Sequence, residues 1–517
     1  MVMVSLSRRG VLAGVVAASA TRLISPGLAQ QGPTQAFGYS DVVKRAHDLG
    51  AAPFDASVPP LPHAIANLDY DAWRDIRFKS DKSLLGPAAG NFRLELFHLG
   101  HLYKRPVVVN VLRDGIPAPI PYASNLFDYG RNKITGALPV NLGFAGFRLH
   151  FPLNAPHMMD ELVAFLGASY YRFLGRGQRY GLSARGLAIG AGQTEEFPFF
   201  REFWVETPAP NQDRITVHGL LDSESVTGAY RFEITPAQET FIDVHATLFA
   251  RSPIADLNMA PLSSMFFTGT NDRRKIDDFR PQLHDSDGLL MHTGAGEWIW
   301  RPLSNPASLV VSTFLDNNPR GFGLLQRDRS FDDYQDLDLA YELRPSYWIE
   351  PMEGWNEGGV QLVELSTENE SNDNIVASWA PKGSLDAGRS MAFAYRISAL
   401  TNDSRLTSGG RVVETFRTTP HALGVVEPTP PGATRFLIDF SGGELAYYLS
   451  DPSMVEIVAT TSSGRVLRTF LSANPHVHGF RAGADVAVDP GQSSDIRVFL
   501  RSGVKALTET WTFPWRA

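Results

Sequence analysis

Apolar and polar residues alternate along most of this chain in runs of about five to eight positions that break at Gly, Asn, Asp or Pro. Ile215 to Leu221, Gly228 to Ile234 and Phe241 to Leu248 are clear cases. A period of two places alternate side chains on opposite faces of a strand, and strands recurring at roughly ten-residue spacing predict antiparallel sheets in a sandwich or barrel. Helical periodicity is rare. Tyr39 to Ala51 predicts one helix, and Asp71 to Ile76 a short one. The strand pattern resumes at Phe436 to Phe440, Val455 to Ala459, Asp495 to Leu500 and Glu509 to Phe513. Loop compositions at Thr401 to Ser404 and Ser408 to Gly410 place a boundary between residues 400 and 410. The expected organisation is therefore a large β-sandwich over 37–400 and a small immunoglobulin-like sandwich over 410–517.

The 517 residues are 43% hydrophobic and 20% charged, which supports a substantial core. A net charge of −8 argues against nucleic acid as a partner. Residues 1–29 read as an export signal. Ser7-Arg8-Arg9-Gly10-Val11-Leu12 is a twin-arginine pattern, followed by an alanine-rich apolar stretch and a small-residue cleavage site at Gly27-Leu28-Ala29. The expected destination is the periplasm by the twin-arginine route. Cysteine is absent, which fits export of a chain folded in a reducing compartment and removes thiolate chemistry.

No nucleophile elbow, zinc-protease helix, P-loop or dinucleotide fingerprint is present. His476-Val477-His478 offers two imidazoles on one strand face without a third ligand, so no metal and no cofactor are expected. The chemistry that remains belongs to carboxylates. The segment Arg280 to Leu303 joins His284, Asp285 and Asp287 to Glu297, Trp298 and Trp300. Acids beside flat aromatic faces suit a sugar-handling cleft, because carboxylates move protons and indoles stack on pyranose rings. Trp348 and Trp355 are further stacking candidates. Competing acid clusters lie at Asp332, Asp333, Asp336 and Asp338, and at Glu368, Glu370 and Asp373. Composition and spacing do not choose among them.

Several ordered segments do choose. Phe165 to Arg172, Tyr180 to Ala188, Glu195 to Pro198, Gly296 to Leu303, Gly321 to Gln326, Arg344 to Ser346 and Asn372 to Val376 resemble the periplasmic glucan biosynthesis proteins G and D. The resemblance runs from about residue 37 to the end, and the twin-arginine pattern draws it toward protein D. It implies a mutarotase-like β-sandwich and an inverting endo-β-1,2-glucanase acting on osmoregulated periplasmic glucans. The alternatives it leaves are a branching or cyclising β-1,2-glucan transglycosylase, or a non-catalytic glucan-binding partner of the membrane glucan synthase. A homodimer is a further expected assembly. Carried across position by position, Asp373 matches the general acid, Asp285 the general base, and Tyr341 and Arg344 residues of the cleft. Asp287 is not itself assigned a role. The resemblance also implies a proton path through a substrate hydroxyl on the acid side and through water on the base side. Asp285 has to stay ionised, and His284 or Arg280 is the expected source of help.

Overall fold

Two large antiparallel-rich sheets face one another. The computed structural model describes residues 36–86, 89–134, 137–420 and 432–516, so the expected export signal lies outside the described residues. Phe37–Ala517 forms one compact unit. The first sheet has ten strands, with the path running from Arg93–Phe97 through Gly146–Phe151, Asp160–Leu166, Tyr170–Phe173, Ser183–Arg185 and Leu257–Ser264 to Ile375–Pro381, Glu357–Glu364 and Val310–Asn317. The second has fifteen strands, and the three predicted from period-two patterning lie side by side within it: Ile215–Asp222, Val226–Thr235 and Phe241–Ala250.

Alternation explains how the sheets pack. Tyr171 and Phe173 point inward and meet the other sheet, where Tyr171 packs on Phe232 at 5.3 Å and Phe173 stacks on Tyr347 at 4.5 Å between ring centroids. Their neighbours Tyr170 and Arg172 face the opposite way. The buried ion pair of Arg301 and Glu364 (2.6 Å) also crosses between the sheets. Tyr39–Gly50 is the longest helix among the described residues, and it lays Val42 and Ala46 on the outer side of the fifteen-stranded sheet, near Leu220 and Ala229.

Residues after 410 build a four-stranded sheet from Arg411–Thr418, Ala433–Ser441, Gly479–Ala487 and Arg465–Asn474. It shares a core with Glu456–Thr461, Ser493–Ser502 and Thr510–Arg516, where Phe436, Phe480, Val498 and Trp511 are buried together. Those three strands belong to the fifteen-stranded sheet, because Thr510–Arg516 runs parallel to Trp298–Pro302 and pairs Trp511 with Trp300. The sheet is thus continuous across the expected boundary at 400–410. His476 and His478 lie in the turn after Asn474, with His478 at a φ of 54°, and not on a strand as the sequence pattern had suggested. Among the described residues no group of acids and histidines is arranged to hold a metal, and no helix is long and apolar enough to cross a membrane.

Candidate functional site

The segment that carries Asp285 is short and pinned. Leu283–His284 pairs with Phe266–Thr268, and the Asp285 N–H donates to the carbonyl of Met265 at 2.8 Å. The residue is 5% exposed, and its carboxylate accepts a hydrogen bond from Nη1 of Arg344. Burial pushes the carboxyl of Asp285 up, Arg344 opposes that rise, and the charge of Asp373 adds to it. Asp285 therefore senses the charge of Asp373.

Arg344 is placed by its neighbours. Its guanidinium lies over the ring of Tyr341 at 3.6 Å, and a Cβ on Gly181 would come within 2.9 Å of the Arg344 side chain. Tyr341 opens a short 3₁₀ turn, Tyr341–Leu343, entered through Ala340 in the left-handed region at a φ of 45°. The Tyr341 hydroxyl donates to Glu370 at 2.6 Å. Glu370 in turn accepts two hydrogen bonds from Arg280, at 2.9 and 3.0 Å, and Arg280 also binds Asp278 and Asp336. A continuous chain of contacts thus joins Arg280, Glu370, Tyr341, Arg344 and Asp285.

This corrects the expected source of help for Asp285. His284 is fully buried, its pKa held down to about 3 by burial, so it is neutral. Its ring nitrogens lie 2.8 Å from Gln326 and 2.9 Å from Gln282. Arg280 spends its charge on Glu370, Asp278 and Asp336. Arg344 is the cation at Asp285.

Asp373 sits in the loop between Glu357–Glu364 and Ile375–Pro381, and it is exposed. Its carboxylate has no hydrogen-bond partner among the described residues. The floor beside it is the outward face of the ten-stranded sheet. Strand register sets Glu95 beside Arg148, Arg148 beside Ala164 and Ala164 beside Arg172. Arg172 donates to Ser183 at 2.6 Å, and Ser183 lies opposite Ser263. At about 4.8 Å per strand this row spans roughly 24 Å, with Arg172 exposed and Glu95, Ser183 and Ser263 buried. Arg185 donates to Ser263 at 2.7 Å and pairs with Glu195, while its guanidinium lies over Tyr170 (4.7 Å) and the exposed Phe197 (5.7 Å). Arg148 pairs with Glu95 and Glu161, and Arg185 with Glu195, while Arg172 bonds only the Ser183 hydroxyl among the described residues.

The structure brings Asp285, Asp373, Tyr341 and Arg344 to one place and leaves other candidates elsewhere. Trp300 is 3% exposed and stacked under Arg327 at 3.6 Å, so its ring has no free face for a sugar; it is a core residue. Trp298 stacks on His292 at 3.9 Å and on Trp348 at 5.8 Å and packs against the C-terminal core. Trp348 and Trp355 are buried. Asp287 points away from Asp285 into a polar pocket, where Oδ2 accepts the main-chain N–H groups of Arg327 and Asp328. Glu297 is tied to Arg497 and Thr510. In the run 331–338, Ser330 and Asp333 cap the turn Phe331–Tyr334, and Asp336 serves Arg280. Arg172, Ser183, Arg185 and Ser263 were not singled out from sequence. For Arg172, Ser183 and Arg185 the signal was the polar member of each alternating pair in Tyr170–Phe173 and Ser183–Arg185.

Fold and site together define an all-β protein with two carboxylates, Asp285 and Asp373, beside a polar row on the ten-stranded sheet. The chain belongs to the periplasmic glucan biosynthesis protein family, MdoG, whose model matches residues 37–515. It is 42% identical over 484 residues to the glucans biosynthesis protein G of Ralstonia nicotianae, a match covering 92% of this chain and 96% of that one. It is 43% identical over 498 residues to the glucans biosynthesis protein D of Xanthomonas campestris pv. campestris, covering 95% and 92%. Among solved structures, a galactose mutarotase related enzyme from Lactobacillus acidophilus aligns over 51% of this chain and 93% of its own at 8% identity. Its TM-score is 0.22.

Proposed function

We propose that this protein is an inverting endo-β-1,2-glucanase that trims the backbone of periplasmic glucans as they are made. The observation that carries the reading is the pairing of a buried, arginine-held carboxylate, Asp285, with an exposed carboxyl, Asp373, whose charge it senses at the edge of a long polar floor. Inverting cleavage uses one carboxyl as acid toward the leaving oxygen and another as base toward water on the far side of the sugar. Asp373 is open to the glucan and gives the proton, directly or through a sugar hydroxyl. Asp285, whose anionic form Arg344 favours, draws the proton from the attacking water or from a water chain. Tyr341 and Glu370 line the same site and hold Arg344 in line. The row from Glu95 to Ser263 runs across the ten-stranded sheet beside these acids.

The test is incubation of the mature protein with linear β-1,2-glucan, following chain length and reducing ends together. Shorter chains with new reducing ends support hydrolysis. New linkages without a gain in reducing ends would replace it with transglycosylation, and unchanged glucan would leave a binding protein. Asp373→Asn and Asp285→Asn are each expected to lower kcat by about 10²–10⁴. Full activity in Asp373→Asn would remove that residue as the acid.

A further inference from the structure

Asp373 makes no side-chain contact that would fix it, so its main chain has to. The next residue, Asn374, is 2% exposed and its carboxamide does what a strand partner would do. Oδ1 accepts the N–H of Phe266 at 2.8 Å, and Nδ2 donates to the carbonyls of Phe266 and Leu365 at 3.0 Å each. The Leu365 N–H returns a bond to the Asn374 carbonyl at 2.8 Å and closes the neck of the loop. The residue before Phe266 is Met265, whose carbonyl receives the Asp285 N–H. One dipeptide, Met265-Phe266, therefore holds the main chain of Asp285 on one side and the neighbour of Asp373 on the other. On the loop's far side Asn305, also 2% exposed, accepts from the Thr367 N–H at 3.0 Å and donates to its carbonyl at 2.9 Å.

Resting on the assignment of Asp373 and Asp285 above, we propose that Asn374 is a positioning residue for the reaction. Its carboxamide sets the spacing of acid and base by gripping the same dipeptide that anchors the base, with Asn305 bracing the loop from behind. A misplacement of about 1 Å is enough to cost roughly a hundredfold in rate. Removing the carboxamide frees Asp373 to wander while the polar floor, on other strands, still binds glucan.

The experiment compares Asn374→Ala with the parent protein on linear β-1,2-glucan and on 2,4-dinitrophenyl β-sophoroside, whose phenolate leaves without a proton. The expected result is a fall in kcat on glucan of about a hundredfold, an unchanged KM, and near-parental rates on the dinitrophenyl substrate. Parental kcat on glucan in Asn374→Ala, with Asp373→Asn inactive, overturns the proposal and leaves the glucanase reading standing. Equal loss on both substrates also overturns it, because a general folding defect spares neither. If Asn374→Ala does not fold, Asn305→Ala is read in the same two assays. The same selective loss supports the proposal, and no loss or equal loss overturns it. Activity retained in Asp373→Asn sinks the acid assignment itself and is seen separately.

Discussion

Arg344 is the residue on which the electrostatics of the site turn. Asp285 is raised by burial and by Asp373, and Arg344 is the first opposing influence. A base works only when ionised, so the acidic limb of the pH profile follows the Asp285 carboxyl. Replacing Arg344 by Met removes the cation, raises Asp285 further and moves the acidic limb of kcat/KM to higher pH. A limb that stays in place would mean another group controls it. Gly181 matters for the same reason. Its missing Cβ is the space through which Arg344 passes, and Gly181→Ala would set a methyl 2.9 Å from the arginine. The expected outcome is a lower kcat on glucan with little change in thermal stability, measured by kinetics and a melting curve on one preparation.

At the scale of elements, the two sheets are joined below the site by a fully buried ion pair. Arg301 on Trp298–Pro302 and Glu364 at the end of Glu357–Glu364 are both 0% exposed, and Glu364 also accepts from Ser304 N–H and Oγ at 2.8 and 2.9 Å. Glu364 leads directly into the loop that carries Glu370 and Asp373. Glu364→Ala strands a buried guanidinium, a lesion that costs about 3–5 kcal/mol. Chemical denaturation measures it, and a loss below about 1 kcal/mol would show that the arginine finds water or another partner.

At the scale of the whole molecule, the sandwich meets the residues after 400 across a pocket rich in acids. Asp287, Asp328 and Glu414 line it, and Asp287 Oδ1 and Glu414 Oε2 are buried without a partner. Burial pushes Asp328 up to about 6 and Glu414 up to about 7, and Asp287 well above the usual carboxylate range. The groups facing them are Arg327, Arg329, Asp333, Tyr334, Asp439 and Arg481. Arg327 is committed to Asp403 and Glu509, which fasten the C-terminal strands to the sandwich. The folded state binds these protons more tightly than the unfolded chain. The contribution of Asp328 and Glu414 is complete below about pH 4 and is lost as pH rises through about 6 and then about 7. Thermal stability is therefore expected to fall over that window, and Glu414→Gln to flatten the fall. A melting temperature independent of pH across the window in the parent protein would refute the assignment.

Sequence alone determined the strands, because a period of two is written in adjacent residues and needs no partner to be read. Ile215–Asp222, Val226–Thr235 and Phe241–Ala250 appear within two residues of their predicted limits, as does the helix Tyr39–Gly50. Ordered segments far apart in the chain were enough to name the family. What sequence could not supply was which side chains meet. Asp285 and Arg344, Tyr341 and Glu370, and Asn374 and Phe266 are brought together by sheet register and loop closure. Trp300 carries the composition of a sugar platform, yet pairing with Trp511 and cover by Arg327 make it core. Only the tertiary structure decided these points, since burial and a neighbour's charge are properties of packing and not of any local pattern.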